Sequence, residues 1–105
     1  MIYVSDHLII PEDQEDNRKK MTAQLTKRKV TMRTLFCVTL PTTSDGLLEM
    51  IPAYALRLEA KEHDITVLGV CEGRKNALAL VEKMIGDVYR ETGALDIKAY
   101  YQNGQ

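Results

Sequence analysis

From residue 34 onward the hydrophobic positions fall into runs of two kinds. "TLFCVTL" (34–40) is a continuous apolar and β-branched run stopped by Pro41, the pattern of a strand buried on both faces. "ITVLGV" (65–70) is another. Between them Leu47, Leu48, Ile51, Tyr54, Ala55 and Leu58 make one stripe at helical spacing. Ser44 is its candidate N-cap, and Pro52 inside it predicts a kinked helix. Ala77, Leu80, Val81, Met84, Ile85, Val88 and Tyr89 repeat the helical spacing more cleanly, and Gly93 supplies a stop. "LDIKAYYQ" (95–102) predicts a last strand, polar at one end and so near a sheet edge.

That order, strand-helix-strand-helix-strand from residue 34, predicts an α/β fold with a small, largely parallel sheet and right-handed crossovers. Strands this apolar need both faces covered, and two helices are few for the task. Either the N-terminal segment folds over one face or another subunit does. "MIYV" with "HLII" reads as an extra strand, for this sheet or a neighbour's. "PEDQEDNRKKMTAQLTKRK" reads as a helix starting at Pro11 whose apolar stripe, Met21, Ala23 and Leu25, is thin. A core of roughly 70 residues is marginal alone, which favours a homodimer.

Charge divides the chain further. Residues 1–17 hold Asp6, Glu12, Asp13, Glu15 and Asp16 and no Lys or Arg; residues 18–33 hold Arg18, Lys19, Lys20, Lys27, Arg28, Lys29 and Arg33 and no acid. The remainder is mixed, so the reading is a charge-sorted N-terminal extension (1–33) followed by a small α/β domain (34–105). The net charge of -1 nominates neither nucleic acid nor a membrane, so any electrostatic attraction must be local. The N-terminus lacks a positive charge before its apolar residues and is broken by Asp6 and His7, unlike a signal peptide. No run approaches the roughly 20 apolar residues of a membrane span. The expected location is the cytoplasm, where Cys37 and Cys71, each inside an apolar run, would be reduced thiols.

Candidate chemistry is concentrated at "TVLGVCEGRKN" (66–76), where a strand ends in Cys71 and a helix follows. A thiolate at a helix N-terminus has a lowered pKa, and the exposed amides there bind anions. "VCEGRKNALALVEKM" resembles in outline the active loops of rhodaneses and low-molecular-weight tyrosine phosphatases. The phosphatase spacing of Cys, five residues, then Arg puts Ala77 where the arginine belongs, and Gly73 and Arg74 stand closer to the cysteine than rhodanese loops require, so no family assignment follows. The surviving site hypothesis has Cys71 as thiol, with Gly73, Arg74, Lys75 and Asn76 cradling a small anion. Its simpler rival makes Asn76 the N-cap and leaves Arg74 and Lys75 in a solvated loop, since bases in a first helical turn oppose the dipole.

The basic run Arg18–Arg33 offers a nucleic-acid reading, with Arg18, Lys19, Lys20, Lys27, Arg28, Lys29 and Arg33 as phosphate contacts. No aromatic residue interleaves them to stack on bases, which argues against it. His7 and His63 lack a Cys or His at ligand spacing, so neither a metal nor a cofactor is expected. The preferred expectation is a non-catalytic, homo-oligomeric binding or interaction module. The alternatives are a thiol-dependent or anion-binding small enzyme using Cys71–Asn76, and a nucleic-acid-associated accessory protein using residues 18–33.

Overall fold

The computed structural model describes residues 1–27, 29–41 and 46–102. It is a mixed α/β fold in three layers around one four-stranded sheet of order β1-β4-β2-β3. The strands are β1 (Ile2–Ile9), β2 (Leu35–Thr39), β3 (Glu49–Pro52) and β4 (Ile65–Glu72). The helices are α1 (Arg18–Gln24), α2 (Leu56–Glu59), α3 (Arg74–Thr92) and α4 (Ile97–Gln102), with 3-10 segments at Glu12–Asn17 and Ala53–Ala55.

The sheet is mostly antiparallel, not largely parallel. Only β1 and β4 run parallel, while β2 pairs antiparallel with both β4 and β3. The difference originates at Pro52. A proline disfavours the helical region for the residue before it. Ile51 accordingly takes extended backbone and pairs with Cys37, and Met50 pairs with Val38. Pro52 sits at the sheet edge, where its missing N–H costs no ladder bond, and then opens the Ala53–Ala55 turn with φ -58° and ψ 137°. The helical stripe read across 47–58 is thus a strand followed by two short helical pieces. Ser44, its expected cap, lies outside the described residues.

Residues 97–102 are likewise a helix and not a strand. Asp96 Oδ1 accepts the Ala99 N–H at 3.3 Å, capping its first turn. Tyr101 packs into the apolar cluster beneath α3 and its hydroxyl points to the Met84 carbonyl. The expected helix over 77–89 is α3, ended by Gly93 at φ 74°, whose N–H returns to the Tyr89 carbonyl at 2.8 Å.

β1 is the extra strand anticipated from the N-terminal residues, but of the helix expected from Pro11 only Arg18–Gln24 is α-helical, preceded by the 3-10 segment Glu12–Asn17. β1 lies beside β4, and α1 buries Met21 and Leu25 against Leu35, Cys37, Val67 and Val70 together with Leu56 of α2. On the opposite face α3 buries Ala77, Leu80 and Met84 against Val38, Leu68 and Cys71. Both faces of the sheet are therefore covered within one chain. Gln24 is fully buried beside Met21, and its amide is satisfied by Thr31: the Thr31 N–H donates to Oε1 at 2.9 Å, and Nε2 donates to the Thr31 hydroxyl at 3.1 Å. That pair ties the chain leaving α1 to the helix itself.

β4 keeps both faces apolar by a change of phase. Between Val38/Thr39 and Gly69/Val67, one step on β2 faces two on β4, so Leu68 is the extra residue of a bulge. Ile65, Val67 and Val70 consequently face α1 while Leu68 and Cys71 face α3. At the same point β1 comes so close that a methyl group on Gly69 would stand 2.7 Å from the Ile9 carbonyl oxygen. Gly69→Ala is expected to push β1 away and cost about 1–3 kcal/mol in urea denaturation, the usual penalty of overpacking a rigid site. An unchanged midpoint would contradict this close approach.

Candidate functional site

α3 begins at Arg74, with Gly73 as the residue before it at φ 94° and ψ 127°. Asn76 is therefore not the N-cap, and the simpler of the two sequence readings is corrected. Gly73 permits the helix to start early because that φ is strained for any residue with a Cβ. Its N–H is held by the Thr34 carbonyl at 2.8 Å, and its own carbonyl accepts the Ala77 N–H at 2.9 Å. Arg74 and Lys75 thus stand in the first turn, exposed, at the positive end of the dipole. Asn76 turns its amide backward to donate to the Glu72 carbonyl at 3.2 Å.

What lies in front of this turn is the chain's own acidic segment. Glu12, Asp13 and Glu15 face Asn76, Ala79 and Lys83 across an open cleft of about 460 Å3 floored by Ile9, Ile10 and Leu80. Gln14 fixes the segment in place: its Oε1 accepts the Glu72 N–H at 2.8 Å, and its Nε2 donates to the Glu72 carbonyl at 3.0 Å. This side chain acts as a short piece of strand paired to the end of β4. Acids beside a helix N-terminus are worth about 0.3–1 kcal/mol each, and a cleft lined by Glu12, Asp13 and Glu15 is a poor place for an added anion.

The thiol is turned away from the helix N-terminus. Cys71 is wholly buried in the cluster under α3, with its S–H directed at the Glu72 carbonyl at 3.6 Å. Burial pushes its pKa from 9.0 up to about 11; the Gln14 contact lowers it, and the Asp13 and Glu72 charges raise it further. A nucleophilic cysteine needs the reverse of the burial and of the two neighbouring negative charges, and the Gln14 contact does not offset them. Burial likewise pushes Cys37 up to about 12. Both cysteines are free thiols.

The basic run is divided by the fold. Arg18 clasps Glu15 with one edge of its guanidinium, Nε to Oε2 at 2.8 Å and Nη2 to Oε1 at 2.7 Å, and Nη1 donates to the Leu8 carbonyl at 2.9 Å. The hydrogen bond to Arg18 holds the Glu15 pKa below its ordinary value. Arg18 is therefore a tether between α1, the acidic segment and β1. Lys19, Lys20, Lys27, Lys29 and Arg33 are exposed, and Arg28 lies outside the described residues. The five span a helix, a turn and the approach to β2, so they make no single stripe.

Gln14 and Gln24 were not singled out from the sequence, though each joins segments that the sequence leaves separate. A glutamine in a polar stretch has no local pattern to mark it, because its role depends on a backbone 58 residues away in one case and 7 in the other. Among the described residues no three His, Cys, Asp or Glu side chains form a group that could hold a metal ion, and no helix is long and apolar enough to cross a membrane.

Two outcomes follow from the buried thiols. Alkylation of Cys71 at pH 7.5, mapped by peptide mass spectrometry, is expected to be at least about a hundredfold slower than for an exposed cysteine, since a pKa about two units above the ordinary value leaves that much less thiolate. A rate matching a free thiol would restore the catalytic reading. Both thiols also hold protons in the native chain that the unfolded chain has lost above pH 9. Their contribution to stability is full below about pH 9 and declines as pH rises toward 11 and 12. The pair Cys37→Ala and Cys71→Ala is expected to flatten that alkaline decline in urea melts while lowering stability at pH 7 by the lost packing. Set against known proteins, the chain matches no family model, no curated protein and no solved structure.

Proposed function

We propose that this chain is a non-catalytic interaction module that works as a homo-oligomer in the cytoplasm. The observation that supports it is the outer edge of β1, with which no strand pairs among the described residues. β1 is an outermost strand of eight residues, and Tyr3 and Val4 on it are 49% and 39% exposed. Large apolar side chains on an unpaired strand edge are a standing invitation to another strand, and monomeric proteins ordinarily guard such edges with proline, lysine or a covering loop. Ile2–Ile9 contains neither proline nor lysine. At the opposite edge β3 is four residues long and ends in Pro52, which is well guarded by comparison.

This reason for association differs from the one that the sequence suggested. The sheet faces need no second subunit, since α1 and α2 cover one and α3 and α4 the other. The edge does. Two buried, free thiols fit a reducing compartment.

Sedimentation equilibrium is the test. The weight-average mass should climb with concentration from 11.9 kDa toward twice that value across the micromolar to submillimolar range, as expected for a small interface. A mass fixed at the monomer value throughout that range would sink the reading.

A further inference from the structure

The free edge of β1 has a defined hydrogen-bonding pattern. Ile65 N–H donates to the Met1 carbonyl at 2.9 Å, and Ile2, Tyr3 and Val4 stand opposite Ile65, Thr66 and Val67. In a parallel ladder of that register Tyr3 turns both its peptide groups toward β4, so Ile2 and Val4 turn theirs outward. Beyond Val4 the strand bows: Ile9 is next to resume pairing, opposite Gly69, and the His7 N–H is taken by the Ser5 hydroxyl at 3.1 Å. The regular outward-facing stretch is therefore Ile2–Val4.

We infer that two copies of this chain join β1 to β1 in antiparallel register about a two-fold axis at Tyr3, with Ile2 of each protomer hydrogen-bonded to Val4 of the other. This deepens the self-association proposed above and rests on it. The two sheets become one of eight strands, and the exposed Tyr3 side chains meet across the axis at a non-hydrogen-bonded pair, where side chains approach most closely.

Charge selects this direction over the parallel one. α1 runs antiparallel to β1, since Arg18 bonds to the Leu8 carbonyl at its start while Thr26, beyond its end, shares a surface groove with Val4. Lys27 and Lys29 follow Thr26 in the chain and have no ion-pair partner among the described residues, whereas the Met1 ammonium at this end of β1 is paired with Asp64. An antiparallel second copy carries its Asp6 past Ile2 toward these lysines. A parallel copy, offset by the one residue that a parallel ladder between two such edges requires, would set each Asp6 beside the other copy's Asp6–His7 step, with no lysine or arginine in either strand to relieve the repulsion between the two carboxylates. Pairing that repeats the same two patches also closes after two copies, so it yields a dimer and not a fibre.

The test uses the full chain in sedimentation equilibrium with Val4→Pro. The Val4 N–H faces away from β4, so proline removes the intermolecular donor and leaves the internal ladder intact. The expected result is a dimer dissociation constant raised at least tenfold with an unchanged far-UV spectrum. Dimerisation as tight as in the unaltered chain would overturn the β1 pairing while self-association by another surface survived. A chain monomeric before substitution would overturn both. Should Val4→Pro fail to fold, Tyr3→Cys decides: mild oxidation is expected to join two chains through that position, and its absence in a sample that sediments as a dimer would refute the register. Lys27→Glu with Lys29→Glu should weaken the dimer, and Asp6→Lys added to them should restore it; no change in either would remove the charge argument for the antiparallel direction.

Discussion

β4 is hydrogen-bonded along both edges, to β1 in parallel and to β2 antiparallel, and is buried on both faces from Ile65 to Cys71 apart from the half-buried Thr66. A strand in that position has no contact with water to soften a mismatch, so its neighbours conform to it. Its bulge at Leu68 sets which residues meet α1 and which meet α3. The absence of a side chain at Gly69 lets the Ile9 carbonyl approach, which in turn brings β1 back to the sheet after its bow and delivers the acidic segment to the start of α3. Gln14 then secures that segment to the last peptide of β4. The candidate site and the exposed edge are both consequences of how the first seventeen residues are laid along this one strand.

The same placement explains the chemistry of the corner. A cysteine at the end of a strand before a helix has two orientations open to it. Toward the helix amides it becomes a thiolate, and toward the core it remains a thiol. Here the bulge reverses the alternation just before Cys71, so the side chain falls on the α3 face beneath Ala77 and Leu80. Arg74 and Lys75, which look misplaced at a helix start, are exposed to solvent there, while the carboxylates of the 3-10 segment line the cleft beside Asn76 and Lys83. Charge sorting in the sequence is thus partly an internal pairing, with the Arg18 to Glu15 clasp its closest instance.

A chain of this size buries a smaller fraction of its surface than a larger domain, so cover for both sheet faces matters to its stability. The cover supplied by α1 removes the sheet faces as places for a partner and leaves the β1 edge. Backbone groups at such an edge are satisfied by water in the monomer, so pairing gains modest free energy per bond. Association through it would be weak and dependent on concentration, which suits an interaction module that assembles and separates more than a permanent oligomer.

How much of this was legible follows from where each signal is stored. The long stripe from Ala77 to Tyr89 with its terminal Gly93, the apolar runs 34–40 and 65–70, and the strand and helix of the N-terminal extension are local patterns, and the chain alone determined them. The direction of the sheet was not local. Around Pro52 the apolar spacing fits a helix or a strand, and the choice is made by Cys37 and Val38, which offer a ladder to Ile51 and Met50. Residues 97–102 become helical because Asp96 caps them and Tyr101 finds room under α3. The orientation of Cys71, the placement of the acidic segment beside the start of α3, and the roles of Gln14 and Gln24 depend on backbone atoms distant in sequence. Periodicity carries no information about such atoms, so only the tertiary structure decided them.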